Sequence, residues 1–200
     1  MSWIHTIPYE KATGRLKKLY DQVKGPENRV DNVLSIHSLR PHSLVGHMSL
    51  YKNVLHHSHN ELPKWYLEAI GVYVSYLNDC DYCVAHHLAG LKRLWNDSER
   101  GEAYMVAIRQ DAARFFDQKL NAGLAYAYLL TKALNNISEA TIQQLKKEGF
   151  DDGQILEINQ VACYFNYVNR MVVGLGVTTD GDVLGLSPND SDDPNNWNHS

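Results

Sequence analysis

The stretch Trp65-Tyr-Leu-Glu-Ala-Ile-Gly-Val-Tyr-Val-Ser-Tyr-Leu77 is apolar almost throughout, and Glu68 is its only charged residue. A helix that is apolar on nearly every side is buried inside a domain. Proline at position 63 suits the first turn of a helix, so we expect a helix over residues 63–77. Asn78-Asp79 predicts a short break, with Asp79 as the N-cap of a second helix over residues 80–94. This break should turn the second helix back against the first.

Helical periodicity continues on both sides of this pair. Apolar residues recur at three- and four-residue spacing, whereas the alternating runs of β-hairpins are scarce. Ser138 and either Asp151 or Asp152 are placed to cap helices. The other predicted helices cover residues 8–23, 30–39, 41–55, 101–110, 118–134, 139–148 and 152–173. The sequence predicts one all-α domain over residues 1–180, followed by a polar, acidic tail over residues 181–200 that is either extended against a neighbour or disordered.

Composition and charge restrict the classes of partner. The chain has 200 residues, 44% hydrophobic and 21% charged, which excludes a wholly disordered protein. A net charge of -4 offers no basic footprint for nucleic acid or an anionic membrane. The longest mostly apolar stretch, residues 69–77, is less than half of a membrane span, and the N-terminus lacks signal-peptide features. Three cysteines are too few for a disulfide framework, so we expect a soluble, cytoplasmic protein without nucleic-acid or membrane partners.

Two of the cysteines lie in Cys80-Asp-Tyr-Cys83, and His87 follows Cys83 by four residues. Near the start of a helix, unpaired backbone N–H groups and the helix dipole favour thiolate over thiol. The spacing makes the His87 imidazole a neighbour of the Cys83 sulfur, where it can take the thiol proton. The second thiol can condense with an oxidised first thiol to form a disulfide. The motif therefore supplies a nucleophile, a base and a resolving thiol.

A buried carboxylate is expected close to this motif. Glu68 lies on the apolar helix and must be paired, hydrogen-bonded or protonated. Burial raises the pKa of a carboxyl group, by as much as ~3–5 units when it is complete, toward the range useful for proton transfer. Because the break after residue 77 turns one helix against the next, we expect Glu68 to lie near His87 and Cys83.

Other interpretations of the motif stay open. Two small packing residues would also account for Cys80 and Cys83. A structural zinc site on these cysteines and a nearby histidine is a sharper alternative, although no second Cys-x-x-Cys or spaced histidine pair completes it. We therefore assign no metal ligands and no cofactor.

Three further positions have simpler explanations than a catalytic or metal-binding role. The run His56-His-Ser-His59 could bind a transition metal, but a polar loop explains it better. Cys163 stands among apolar residues of the last helix, so we expect it in the core. His86 is expected on the solvent side of its helix.

The sequence resembles a known family in three stretches. These are residues 7–20, the block Tyr76-Leu-Asn-Asp-Cys-Asp-Tyr-Cys-Val-Ala-His-His87, and Asn169-Arg170 before residues 174–177. Together with the upstream Glu68 they are similar to the AhpD-like alkylhydroperoxidases of the carboxymuconolactone decarboxylase superfamily, and most of all to its peroxidase-related branch. The resemblance implies an AhpD-like helical bundle that forms homo-oligomers, either trimers or hexamers.

The resemblance also implies thiol-dependent reduction of small hydroperoxides without haem or flavin. In that scheme Cys83 attacks the peroxide, Cys80 resolves, Glu68 and His87 relay protons, and an external dithiol or thiol protein is the reductant. One residue departs from the family pattern, since the best-studied members have a second histidine where this chain has Tyr82. A tyrosine, with a pKa of about 10, is no base near neutral pH.

Two other functions use the same residues differently. A thiol–disulfide adaptor would pass electrons to a separate peroxidase and barely react with peroxide. A cofactor-free decarboxylase or isomerase, like the namesake of the superfamily, would not need the cysteines, so their presence argues against it. A zinc-stabilised binding module is a further alternative.

Overall fold

The computed structural model describes residues 1–110 and 115–199. In this part of the chain there are nine α-helices, and the only β-structure is two isolated bridges. The helices are α1 (Gly14–Val23), α2 (Asn32–Ser35), α3 (Pro41–Leu55), α4 (Lys64–Leu77), α5 (Asp81–Trp95), α6 (Ser98–Gln110), α7 (Gln118–Lys132), α8 (Glu139–Lys147) and α9 (Asp152–Gly174). Single-turn 3-10 helices lie at Tyr9–Lys11, Pro26–Asn28 and Leu134–Asn136. The prediction of one all-α domain is confirmed.

The predicted helix boundaries hold well from α3 onward and less well before it. Ser138 caps α8 in a capping box, and the Asp151 side chain caps α9, as expected. The predicted helix over residues 8–23 is divided, because Ala12 and Thr13 adopt extended backbone angles. The predicted helix over residues 30–39 is reduced to the four residues of α2, and the chain then continues in i→i+3 turns before Pro41.

Helix α4 forms the centre of the domain. Its side chains Tyr66, Leu67, Ile70, Val72 and Val74 are completely buried. The helix packs against α5 and α9 and also contacts α7. Each fully buried aliphatic side chain contributes roughly 1.5–3 kcal/mol, so this helix is a major source of the stability of the core. The prediction that residues 63–77 form a buried helix is confirmed.

The crossing of α4 and α9 depends on one glycine. A Cβ atom at Gly71 would lie 2.3 Å from two ring atoms of Phe165 on α9. Phe165 is itself completely buried, so its ring has little room to move. The missing side chain at Gly71 therefore sets how closely the two helices approach.

The turn between α4 and α5 differs from the prediction in one residue. Asp79 was expected to be the N-cap of α5, but Cys80 occupies that position. Asp79 instead has a positive φ of 53°, its N–H bonds to the Tyr76 carbonyl, and the Cys80 N–H bonds to the Ser75 carbonyl. This is the Schellman arrangement that ends α4, and aspartate tolerates its left-handed conformation. Asp79 therefore belongs to the C-terminal motif of α4, and Cys80 is the N-cap of α5.

The segment after α9 contains no helix in its described residues and runs back over the helices already formed. Asn32 Nδ2 donates to the carbonyls of Thr178 and Asp180, and the Ser58 N–H donates to the Ser191 carbonyl. Trp197 is buried. The predicted tail over residues 181–200 is thus extended along its own domain as far as residue 199, and residue 200 lies outside the described residues. None of the described helices combines the length and the apolar character needed to span a membrane.

We expect Gly71→Ala to destabilise the protein by about 1–3 kcal/mol, because the added methyl group overpacks the contact with Phe165. Gly46→Ala on α3 is the matched control, since a Cβ there meets nothing within 4 Å. The control should gain up to about 1 kcal/mol from helix propensity. Urea unfolding of both variants tests this, and equal shifts in the same direction would contradict the packing argument.

Candidate active site

The two cysteines of the motif lie together at the start of α5. Cys80 is the N-cap residue and Cys83 belongs to the first turn. Their sulfur atoms are 2.7 Å apart, and both are free thiols. Cys80 is 1% exposed and Cys83 is 3% exposed. The two sulfurs are therefore in contact with each other and almost completely removed from solvent.

The environment separates the acidities of the two thiols. The hydrogen bond with Cys83 lowers the pKa of Cys80 below its ordinary value, against the opposing effect of burial. Burial, together with the hydrogen bond and charge of Cys80, raises the pKa of Cys83 well above its ordinary value. The first proton lost from the pair therefore leaves a thiolate at Cys80 that accepts a hydrogen bond from Cys83.

The amide of Asn169 on α9 also contacts both thiols and lowers the pKa of each. Its orientation is fixed by two hydrogen bonds, since Nδ2 donates to Ser75 Oγ and Oδ1 accepts from Asn78 Nδ2, each over 3.0 Å. Asn169 is 1% exposed. The sequence drew attention to Asn169 only as part of a family stretch and gave no indication that it reaches the cysteines.

Glu68 and His87 form a short, buried pair. His87 Nδ1 lies 2.7 Å from Glu68 Oε2. Because a carboxylate only accepts hydrogen bonds, Nδ1 carries the proton and Nε2 is left as the acceptor. Glu68 is 3% exposed, as the sequence predicted. The helical positions expected to converge, Glu68 on α4 with Cys83 and His87 on α5, do lie around one cavity.

The expected direction of the Glu68 pKa shift is wrong. Burial alone raises the pKa of Glu68, but the neighbouring His87, His56 and Lys64 outweigh it, so the pKa lies below its ordinary value. Burial was apparent from the apolar flanks, whereas the compensating groups come from three different parts of the chain. Glu68 is therefore an anion that orients the His87 imidazole, and not a neutral acid.

His56 is a residue that the sequence analysis placed in a polar loop and that the structure places beside Glu68. It is 1% exposed, and its Nε2 lies 3.8 Å from Glu68 Oε1. On its other side, Nδ1 lies 3.7 Å from Asp190 Oδ1. Met48, Lys52 and His56 share the buried face of α3 and its end, but the lysine interrupts the apolar pattern that would have revealed it. Glu68 thus lies between two imidazoles.

A small cavity joins these groups. Its volume is about 40 Å³, and its wall includes Cys83, Glu68 and His87 but not Cys80. Such a volume holds roughly three water molecules. Tyr51 and Tyr164 supply aromatic walls. Of the two thiols, only Cys83 therefore opens on the space in which a small substrate can bind.

The C-terminal segment forms one wall of this cavity. Leu186, Ser187 and His199 contribute to its wall. Asp182 Oδ2 accepts a hydrogen bond of 2.6 Å from the Tyr82 hydroxyl and lies 3.2 Å from His86 Nε2. The expectation that His86 faces solvent is wrong, because this segment covers it. The Tyr82 hydroxyl therefore links the cysteine motif to the segment.

Two further expectations concern Cys163 and metals. Cys163 is exposed, so its placement in the core is wrong. Residues adjacent in sequence do not share a helix face, and the buried face of α9 is formed by Ala162, Phe165 and others on the opposite side. Among residues 1–110 and 115–199, no group of three or more histidine, cysteine or carboxylate side chains has the geometry to hold a metal ion.

This architecture is similar to that of several known proteins. Residues 46–129, from within α3 to α7, match the model of the Carboxymuconolactone decarboxylase family. A comparison with curated proteins gave no match. Among solved structures, a peroxidase-related protein with an alkylhydroperoxidase AhpD core from Ralstonia eutropha JMP134 has a TM-score of 0.78 at 22% identity, covering 90% of this chain and 93% of that chain. A peroxidase-related protein from Silicibacter sp. TM1040 has a TM-score of 0.78 at 24% identity, with the same coverage of 90% and 93%.

A third similar structure is the debrominase Bmp8, solved as a cysteine-to-alanine variant in complex with 2,3,4-tribromopyrrole. It has a TM-score of 0.70 at 16% identity and covers 90% of this chain and 95% of that chain. The shared fold is that of the AhpD-like helical proteins. Similarity to the carboxymuconolactone decarboxylase family is thus shown for residues 46–129, and similarity of fold extends over most of the chain.

We expect the free energy of unfolding to fall as the pH drops below about 6.5. Burial lowers the pKa of His47, in the cavity wall, to about 3, and burial lowers that of the neighbouring His37 to about 4. The folded state keeps these rings neutral while the unfolded chain protonates them, so acid favours unfolding. His47→Gln should reduce this slope by at most about 1.4 kcal/mol per pH unit.

His42→Gln, at an exposed position of the same helix, is the control and should leave the slope unchanged. Chemical denaturation at several pH values between about 4 and 7 measures both variants. An unchanged slope in His47→Gln would show that its protonation is not linked to unfolding.

Proposed function

We propose that this protein reduces small hydroperoxides through a dithiol–disulfide cycle of Cys80 and Cys83. The observation that carries the proposal is the contact of the two thiols, one of which opens on a small cavity that the Glu68–His87 pair also lines. A nucleophile, a resolving thiol and a proton acceptor are thereby held around a space that fits a molecule of a few heavy atoms. No haem, flavin or metal takes part in this scheme.

The first step oxidises Cys83. His87 Nε2 accepts the thiol proton, and the Cys83 thiolate attacks one peroxide oxygen. The O–O bond breaks, an S–O bond forms, and the leaving oxygen takes the proton from the imidazolium. The products are a sulfenic acid at Cys83 and water or an alcohol. Glu68 remains an anion throughout and stabilises the transient imidazolium over 2.7 Å.

The second step forms the disulfide. The Cys80 thiolate, favoured by its lowered pKa, attacks the Cys83 sulfur. The S–O bond breaks, and the leaving hydroxide takes up the proton that Cys80 released on forming its thiolate, to give water. The sulfur atoms are already in contact, so little movement is needed. An external dithiol then supplies two electrons and two protons by exchange through a mixed disulfide.

Access to the cavity and thiol acidity favour different cysteines as the one that attacks the peroxide. Its raised pKa disfavours the thiolate, whereas Cys80 is the more acidic thiol. However, Cys80 has no surface in the cavity, and a peroxide must reach the sulfur that it oxidises. A thiolate of higher pKa is also the stronger nucleophile. Cys83 therefore attacks and Cys80 resolves.

The alternative functions fit this geometry less well. A thiol–disulfide adaptor would have to open the site for a whole partner protein, since neither thiol is more than 3% exposed, whereas a peroxide of a few atoms can use the existing cavity. A decarboxylase-like reaction would use Glu68 and His87 alone and would leave the contact of the two thiols without a role. We also expect a homo-oligomer, as the family resemblance implies.

Cys83→Ser and Cys80→Ser should each abolish catalytic turnover of hydrogen peroxide with a dithiol reductant, because each removes one sulfur of the cycle. Cys163→Ser, which removes the exposed thiol, should retain full turnover. One equivalent of peroxide should remove two hydrogens from the wild-type mass, located by digestion to Cys80 and Cys83. Full turnover in the double variant Cys80→Ser/Cys83→Ser would refute the proposal.

Glu68→Gln should lower kcat/KM for hydrogen peroxide about 10²-fold, the lower end of the contribution of general acid–base catalysis. The acidic limb of its pH profile should move to lower pH, since the imidazolium of His87 loses its counter-charge. Glu61→Gln, at an exposed position just before α4, serves as the control. Steady-state rates across about pH 5–8 test both variants. If the pH profile of Glu68→Gln has the wild-type shape, the charge of Glu68 takes no part in the reaction.

A further inference from the structure

The segment Asp182–His199, here called the C-terminal strap, forms one side of the substrate cavity. Its wall residues are Gly185, Leu186, Ser187 and His199. The strap is anchored at its start to the helix turn that carries the thiols, because Asp182 accepts a hydrogen bond from Tyr82, the residue just before Cys83. The cavity therefore has this wall only while the strap is in place.

Further polar contacts hold the strap along its length. The Arg93 guanidinium donates to the Gly185 carbonyl. The buried Lys52 ammonium donates to the Asn189 carbonyl, and Lys64 pairs with Asp190 over 2.8 Å. These donors belong to α5, α3 and α4, so the strap ties together the helices around the site.

One close backbone contact seats the strap on α5. Gly185 has a positive φ of 82°, and a Cβ there would lie 2.9 Å from the Gly90 nitrogen and 3.0 Å from the Ala89 carbonyl carbon. These are backbone atoms of a helix and cannot move aside. Only glycine at position 185 therefore lets the strap lie flat against the helix.

Most of the strap is held by polar contacts at the protein surface. Gly185, Pro188 and Trp197 are its buried residues, and the others are exposed or half-buried. Segments with little buried apolar area open at a lower free energy than core helices. The strap can therefore open while α4 and α5 remain folded.

Opening would enlarge the site considerably. A second cavity of about 360 Å³ lies beside the first, between Arg93, Lys64 and residues 187–190. Glu68, Gly90 and Ser187 line both this second cavity and the first one of about 40 Å³. The two spaces are thus neighbours that share walls, and displacement of the strap would join them.

We propose that the C-terminal strap determines the substrate class of the site: closed, it admits hydrogen peroxide and hydroperoxides of similar size, and it excludes bulky organic hydroperoxides. It has to open before a reducing dithiol reaches the Cys80–Cys83 disulfide. The statement about substrates rests on the proposed peroxidase function, whereas the control of access to the thiols can be measured without it.

Alkylation by N-ethylmaleimide measures access directly. In Gly185→Ala the added methyl group lifts the strap from α5, and alkylation of the two motif cysteines should accelerate about tenfold. Gly181→Ala is the matched control, because its φ of 85° imposes the same backbone strain but its Cβ meets nothing within 4 Å. The control should react at the wild-type rate. Peptide mass spectrometry provides the readout, with the exposed Cys163 as the internal reference.

The ratio of kcat/KM for cumene hydroperoxide to that for hydrogen peroxide tests the substrate class. This ratio should rise about tenfold in Gly185→Ala and stay unchanged in Gly181→Ala. If all variants lack peroxide turnover while alkylation accelerates in Gly185→Ala, the proposed function fails and the strap remains as an access barrier. If turnover is normal and neither alkylation nor the ratio changes, the strap proposal is overturned.

Arg93→Gln provides a second variant in case Gly185→Ala does not fold. It removes the charged donor to the Gly185 carbonyl from an exposed position and leaves the helix backbone unaltered. Alkylation of the motif cysteines should again accelerate relative to Cys163. Hydrogen exchange of residues 182–199 should also be faster in this variant than in the wild type. If neither hydrogen exchange nor the alkylation rate increases, the proposal is contradicted.

Discussion

A carboxylate enclosed in an apolar helix has to be compensated, and the site depends on how Glu68 meets this requirement. Full burial would favour its neutral form, but His87 donates to one carboxylate oxygen and His56 lies beside the other. The carboxylate therefore stays ionised inside the core. In consequence the His87 ring is fixed with its Nε2 as an acceptor toward the cavity, and the orientation of α5 against α4 is set by a polar contact as well as by apolar packing.

The turn between α4 and α5 determines where the two thiols lie. Asp79 ends α4 in a left-handed conformation, and this leaves Cys80 at the N-cap of α5. Cys83 then lies one turn further along, in contact with Cys80 and beside the cavity. The pKa of Cys80 is lowered and that of Cys83 is raised, so acidity and access are divided between the two sulfurs. Such a division suits a pair in which one thiol attacks and the other resolves.

The C-terminal segment explains features that the helices alone leave without a reason. Tyr82 cannot act as a base near neutral pH, but its hydroxyl holds Asp182. His86 and Lys52, two polar side chains in buried positions, are covered by the same segment. The polar character of the segment permits both tight seating over the site and opening at modest free-energy cost. The small size of the cavity is therefore a property of the tail and not of the helical core.

The sequence by itself determined the helices from α3 onward and the thiol motif, because both depend on local spacing. The apolar run around Glu68 required a buried helix, and a four-residue interval placed Cys83 and His87 on one side of α5, where both line the cavity. Only the tertiary structure decided that Cys163 faces outward, that His56 approaches Glu68, and that the Glu68 pKa falls instead of rising. It also decided the course of residues 181–199, which have no periodicity to reveal a partner. These outcomes depend on side chains far apart in the chain, whose charges and hydrogen bonds combine only after the helices have packed.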